Sequence, residues 1–265
     1  MPRLRKLSPL ATVIALSIVL LTACGNPSTQ QSSGDETPAV DSITIAAASD
    51  LRPAFEELAP VFTEATNINV TYSFGSSGQL REQIKNGAPF DVFASANTDF
   101  VEDVIAAGKA IESTKTAYAV GRIVLWAASG TSAPQSLTDL TSSQYRTIVI
   151  ANPSHAPYGI AAQQAMQSAG VWDQLQSRLV YGENISDAMQ ILKSGNADVG
   201  IIALSLALAN DASYVLIPDS LHQPLLQSIV VTTKGARTAA AQQFIDFLIS
   251  DRGQEIMNKY GFVAP

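Results

Sequence analysis

Cysteine occurs once in this chain, at Cys24, and histidine twice, at His155 and His222. A single cysteine excludes a disulfide framework, and two isolated histidines leave no material for a His-rich metal centre. Positive charge is also scarce. The 16 Lys and Arg stand against 23 Asp and Glu, a formal net charge of -7. A nucleic-acid binder needs a basic face for the phosphates, so that class is excluded. There is no Gly-Lys-Ser/Thr of a Walker A loop, no His-Glu-x-x-His and no Cys-x-x-Cys. Gly75-Ser76-Ser77-Gly78 does not have the Gly-x-Ser-x-Gly spacing of a hydrolase elbow. His155, between Pro153 and Pro157, reads as a turn residue rather than a catalytic base. A composition of 46% hydrophobic and 15% charged residues is too apolar for a disordered chain and too mixed for a polytopic membrane protein. At 265 residues there is room for one or two domains with a real core.

The only long apolar run lies at the start. Arg3, Arg5 and Lys6 precede a stretch from Leu10 to Leu21 broken by Thr12 and Ser17. It is short for a membrane span and has the layout of a secretory signal. It ends in Leu21-Thr22-Ala23-Cys24, which resembles the lipobox of bacterial lipoproteins. The expectation is cleavage after residue 23 and a lipid on Cys24. Residues 1–23 hold three positive charges and no negative one, so cleavage leaves a more acidic chain. Residues 24–41 contain almost nothing to bury and read as a tether. The body is therefore expected outside the cytoplasmic membrane, in the bacterial cell envelope, held near the lipid.

Beyond the tether, strands and helices alternate. Strands are expected at Ser42–Ala48, Ile68–Ser73 and Phe90–Ala94, with helices from Asp50 to Ala65, after Gly78, and over Thr98–Ala107. The pattern breaks near Tyr118–Arg122. It resumes with strands Ile123–Ala127, Thr147–Ala151, Arg178–Tyr181 and Asp198–Ile202, and helices Gly159–Ala169 and Ile185–Leu192. A strand at Ser228–Thr233 and two helices, Arg237–Ile249 and Asp251–Lys259, close the chain. This alternation predicts parallel α/β sheets with helices on both faces. No internal repeat is visible, and periodicity leaves one large domain and two lobes equally open.

Small polar residues recur where strands run into helices. Ser49 precedes one helix, Ser76 and Ser77 another, Pro157-Tyr158-Gly159 a third, and Asn184-Ile185 a fourth. Each junction offers free backbone N–H groups and the positive end of a helix dipole. Any one of these serines is adequately explained as an N-cap. Several at corresponding strand ends would converge, since ligands in open α/β folds bind outside the strand carboxyl ends. Together they would form an anion site without Lys or Arg.

Five segments carry a resemblance to a known family. They are Ala46-Ala47-Ala48-Ser49, Ser73 to Leu80 (Ser-Phe-Gly-Ser-Ser-Gly-Gln-Leu), Gly87-Ala88-Pro89-Phe90-Asp91-Val92-Phe93-Ala94-Ser95-Ala96, Asn152 to Gly159 (Asn-Pro-Ser-His-Ala-Pro-Tyr-Gly), and Lys259-Tyr260-Gly261-Phe262. In this order the chain, from about Ser42 to Pro265, resembles the molybdate-binding proteins of ABC importers, the ModA family of type II periplasmic binding proteins. The resemblance implies an α/β fold of two lobes. Each has a parallel-rich sheet flanked by helices, and two crossover strands form the hinge. Lobe 1 is then 42–121 plus 228–265, and lobe 2 is 122–227. It implies a non-enzymatic protein without cofactor, acting as a monomer. Its partners would be molybdate or tungstate, an ABC permease with its ATPase, and the membrane through Cys24. Molybdenum would be held as molybdate through Ser49 and Ser77 of lobe 1, and through Tyr158 and Ile185 of lobe 2. Tyr158 and Ile185 would act by backbone N–H, so their side chains would matter less. Sulfate or phosphate binding, or a lipid-tethered hydrolase, are the alternatives.

The chain departs from that pattern twice. Some members supply a tyrosine hydroxyl where this chain has Ala203, so either one donor is missing or Tyr158 or another group replaces it. Asp50 directly follows Ser49. At an effective dielectric near 20, a carboxylate about 4 Å from a unit negative charge costs roughly 4 kcal/mol. Asp50 is therefore expected to turn out of the cleft or to cap its helix; the alternative is a proton-accepting carboxylate for a protonated oxyanion.

Overall fold

The alternation seen in the sequence builds two five-stranded sheets. The computed structural model describes residues 41–234 and 238–265. The signal segment, Cys24, the tether up to residue 40, and Arg237 lie outside the described residues. The first sheet contains β1 (Asp41–Ala48), β2 (Ile68–Gly75), β3 (Val92–Ser95), β4 (Thr116–Gly121) and β10 (Leu225–Val231), in the order β2-β1-β3-β10-β4. The second contains β5 (Ile123–Ala127), β6 (Ile148–Ala151), β7 (Leu179–Gly182), β8 (Val199–Ala203) and β9 (Tyr214–Leu216), in the order β7-β6-β8-β5-β9. In each sheet one strand, β10 or β5, is antiparallel to both neighbours. The other pairings are parallel, so four strands of each sheet share a direction. The two reversed strands are the ones that follow a passage between sheets. The chain leaves the first sheet at Arg122 and returns to it before Leu225. This is the two-lobed arrangement, but each sheet is mixed, with two of its four pairings parallel and two antiparallel.

Helices fill the crossovers. They are α1 (Arg52–Thr66), α2 (Ser77–Lys85), α3 (Thr98–Ala106), α4 (Pro157–Ser168), α5 (Trp172–Leu175), α6 (Ile185–Lys193), α7 (Leu204–Leu208), α8 (Thr238–Ile249) and α9 (Asp251–Lys259). The helical spacing of α1 buries Ala54, Phe55, Leu58 and Phe62. Phe244 of α8 meets Phe55 and Phe62 edge-on, with ring centroids 5.7 and 5.3 Å away. Each buried Phe contributes roughly 1.5–3 kcal/mol by leaving water. The Lys259-Tyr260 pair anchors the chain end. The Lys259 ammonium and the Tyr260 hydroxyl both donate to Glu57 of α1, at 2.6 and 2.7 Å. These donors hold the Glu57 carboxyl below its usual range.

Three differences from the sequence reading bear on the site. The apparent break near Tyr118 is strand β4, with Tyr118 buried in it. Strand β10 begins at Leu225, so Gln227 belongs to the first sheet and faces inward, fully buried. A short helix, α7, starts straight after Ala203 and brings Ser205 against Asp50.

Candidate functional site

Strands β1 and β2 lie side by side in register, Ala48 opposite Gly75. Strands β6 and β7 do the same in the second sheet, Ala151 opposite Gly182. Each of the four is followed within a few residues by a helical turn. Ser49, Ser77, Tyr158 and Ile185 therefore come from equivalent places in the two lobes, and all four line one cavity. The cavity is small, with room for about one water. No Lys or Arg is among its lining residues.

The local hydrogen bonds leave donors free at that cavity. The Ser49 hydroxyl oxygen accepts from the Ser186 N–H at 3.3 Å. The Ser77 hydroxyl oxygen accepts from the Ala96 N–H at 3.0 Å. With an acceptor position filled from the protein, each hydroxyl retains its own proton to donate. In α6 the Asn184 side chain caps Ser186 N and Asp187 N, the second and third positions. Ile185 N, the first, lies in the turn where helices have no internal acceptor. In α4, Pro157 has no N–H to offer, so Tyr158 N is the first donor of the helix. Two hydroxyls and two helix-start amides thus surround a cavity with no cation. This is chemistry for an anion that carries acceptors on all sides.

The lobes touch directly around this cavity. Ser186 Oγ donates to Ser49 O at 2.9 Å, and Ser205 Oγ donates to Asp50 O at 2.8 Å. Ser76 Oγ and Gly78 N both donate to His155 O, at 2.7 and 2.9 Å. At the rim, Gln79 Nε2 donates to Glu183 Oε2 at 2.8 Å.

His155 does meet a serine, though neither of the two read as donors. Its Nδ1 is 2.9 Å from Ser76 Oγ, and its Nε2 is 3.9 Å from Glu183. The arrangement superficially matches a hydrolase triad. However, the single Ser76 proton goes to His155 O, so Nδ1 must carry a proton and donate. A protonated Nδ1 cannot act as a base toward Ser76.

Asp50 corrects an expectation. Its carboxylate lines the cavity and caps no helix: Oδ2 accepts from a side chain of strand β10 and Oδ1 from nothing. Pro53, in the first turn, removes one N–H the carboxylate could have capped. Instead Asp50 is fully buried beside the cavity. Gln227 Nε2 donates to its Oδ2 at 2.5 Å, and Oδ1 has no hydrogen-bond partner. Burial pushes its pKa from 3.8 up to about 6, against the lowering effect of hydrogen bonds from Gln227 and the Tyr158 hydroxyl. The Tyr158 side chain is accordingly not idle, as the backbone role alone implied. Its hydroxyl is engaged with Asp50 and Gln227, so it does not stand in for the donor absent at Ala203. Ala203 itself is buried at the end of β8, away from the cavity lining. Gln227 and Tyr118 were not singled out from sequence. The one signal was a glutamine inside the apolar run of β10.

The raised pKa gives a signed pH dependence. A group whose folded-state pKa lies above its unfolded value stabilises the fold fully below the unfolded value. That stabilisation is lost as pH rises through the folded one. A rise from 3.8 to about 6 corresponds to about 3 kcal/mol. The stability difference between the Asp50→Asn variant and the parent should therefore grow by about that amount between about pH 3 and 8, in favour of Asn. Chemical denaturation across that range measures it. A difference independent of pH would mean Asp50 titrates normally.

Comparison with known proteins agrees with this architecture. The family model described as bacterial extracellular solute-binding protein matches residues 43–263. The molybdate-binding protein ModA of Rhodobacter capsulatus is 38% identical over 226 residues, 84% of this chain and 88% of that one. ModA of Escherichia coli is 29% identical over 228 residues, 83% of this chain and 88% of that one. The solved structure of the Azotobacter vinelandii periplasmic molybdate-binding protein superposes with a TM-score of 0.78 at 31% identity, covering 84% of this chain and 99% of that one. The chain thus belongs to the bacterial extracellular solute-binding protein family, as a periplasmic binding protein of the ModA type.

Proposed function

We propose that this protein captures molybdate, and tungstate with it, outside the cytoplasmic membrane and delivers it to an ABC permease and its ATPase. The carrying observation is the cavity itself: neutral donors from four helix starts, two per lobe, with no cation. Ser49, Ser77, Tyr158 and Ile185 are the proposed anion ligands. Neutral donors suit a fully deprotonated tetraoxyanion, because a protonated one also needs an acceptor. The relatives that are themselves named molybdate-binding proteins support the choice of anion. In this reading the protein performs no turnover. A lobe of residues 42–121 and 225–265 and a lobe of residues 122–224, with the boundary at the start of β10, close on the anion. The ligand bonds both at once, so it stabilises the closed state selectively. Calorimetric titration with molybdate, tungstate, sulfate and phosphate tests the reading. Molybdate and tungstate should bind at least a hundredfold more tightly than the other two. The partnerless Asp50 Oδ1 is the one feature that favours a protonated oxyanion, so a preference for phosphate would overturn the assignment.

We also propose that Cys24 carries a lipid and that the mature protein is tethered as a monomer. The support is the Leu21-Thr22-Ala23-Cys24 run after an apolar segment. Cys24→Ser should move the protein from the membrane fraction to the soluble one with unchanged anion affinity. Retention in the membrane fraction would rule the anchor out.

A further inference from the structure

We propose that the Tyr158 hydroxyl is a closure key: it seats in a socket formed by Gly121, Gln227 and Asp50, and this seating, separate from the hydrogen bonds to the anion itself, sets how long the closed protein holds its ligand. The inference rests on the binding-protein reading above.

The socket belongs to the first sheet and its outgoing strand. Gly121 is the last residue of β4, paired with Leu225 of β10. Tyr158 comes from the second lobe, at the start of α4. A Cβ built on Gly121 would lie 2.2 Å from the Tyr158 hydroxyl oxygen and 2.9 Å from Gln227 Nε2. The hydroxyl therefore occupies the space where any other residue at 121 would place its first side-chain carbon. Glycine is needed here for that approach, since its backbone φ is not in the left-handed range.

The polar wiring of the socket has a consistent direction. The Tyr118 hydroxyl donates to Gln227 Oε1 at 3.0 Å. That fixes the amide orientation, so Nε2 faces the other way. Nε2 donates to Asp50 Oδ2 at 2.5 Å and lies 3.2 Å from the Tyr158 hydroxyl oxygen, which accepts from it. The Tyr158 proton is then turned away from Gln227, and Asp50 is the ionisable group nearest in effect to that hydroxyl. Every group in the socket is buried, so a missing partner there is costly. The titratable groups facing Asp50 are Tyr118 from β4 and Tyr158 from α4. Ser205 of α7 reaches only its carbonyl.

Only closure can complete this arrangement. Three of its members sit on the first sheet or the turn after β1, and the fourth arrives with the second lobe. Tyr158 also carries, on its backbone, one of the proposed anion donors. One residue therefore holds ligand with its main chain and seats in the opposite lobe with its side-chain tip. Anion binding places the start of α4, and the seated hydroxyl retains it. The key should act on release, because the socket is empty until the lobes meet.

Gly121→Ala, Tyr158→Phe and the double variant test this, with closure read by solution X-ray scattering and release by stopped-flow ligand exchange. Molybdate is the first probe. Tyr158→Phe should raise the off-rate about tenfold or more with little change in on-rate. Gly121→Ala should do the same or more, because its methyl group blocks the seat. The double variant should be no worse than Gly121→Ala alone, since both changes remove one contact. Should Gly121→Ala disturb the β4–β10 pairing, Tyr158→Phe by itself still decides, because it leaves the strands untouched. Parent-like off-rates in Tyr158→Phe, or losses that multiply in the double variant, overturn the key. Scattering of the parent with each of the four oxyanions separates this from the choice of ligand. A parent that closes on sulfate or phosphate but not molybdate refutes the molybdate reading, and the key is then tested with the anion that closes it.

Discussion

Ser49→Ala and Ser77→Ala combined should reduce molybdate affinity by about 10²–10⁴. Each removes one hydrogen bond to a charged group, and such bonds are worth about 1.5–3 kcal/mol, roughly ten- to hundredfold apiece. Both hydroxyls already accept a backbone N–H, which is what directs their protons into the cavity. The two substitutions differ in their side effects. Ser186 N keeps a second acceptor in Asn184 Oδ1, so losing the Ser49 hydroxyl leaves it satisfied. Ala96 N is buried and relies on Ser77 Oγ, so Ser77→Ala should also lower stability by about 1–3 kcal/mol. Calorimetry with molybdate and thermal melts of the single and double variants read both effects. Affinities within threefold of the parent would show that the anion sits elsewhere.

Gly78→Ala should be comparably severe for a different reason. Gly78 lies in the first turn of α2, and a Cβ there would be 2.4 Å from the His155 carbonyl oxygen on the opposite lobe. The neighbouring contacts are 2.9 Å to His155 Cβ and 3.0 Å to its Cα, so no flexible side chain can yield. Alanine would hold the lobes apart and break the Gly78 N–His155 O bond. Within its own lobe the change is benign, because alanine is the better helix former by about 1 kcal/mol. The expected result is a fold at least as stable as the parent, an open form in solution scattering even with excess molybdate, and affinity down by a hundredfold or more. A variant that closes and binds like the parent would mean the lobes can meet without this approach.

These two predictions draw on different levels of information. The serines stand out in the sequence because a small hydroxyl residue follows an apolar strand and precedes a helical pattern. The position of Ile185 is legible on the same grounds, through the cap at Asn184. That four such junctions meet at one cavity follows from in-register parallel strands, which put successive helix starts at the same edge. The sheet orders also show a correspondence between the lobes, strand for strand, that no sequence repeat discloses. Each half keeps the pattern of burial and direction while its side chains differ, and burial alone constrains side chains too weakly to leave a readable repeat.

The contacts across the cleft are a separate matter. Gln227 is 177 residues from Asp50 in the chain, and Tyr158 is 69 from Gln227. No local pattern relates them. The cap expected of Asp50 fails for that reason. Seen with its neighbours in sequence, a carboxylate at a helix start is a cap, because helix N–H groups are the only partners in view. In the folded chain it faces a glutamine from the returning strand and a tyrosine from the other lobe. Strand periodicity, helix starts and the apolar core were set by nearest neighbours and by the separation of apolar from polar residues, and these the sequence carries by itself. Which buried polar groups pair, and which glycine must stay bare for a hydroxyl to seat, depended on where distant segments came to lie, and only the tertiary structure decides that.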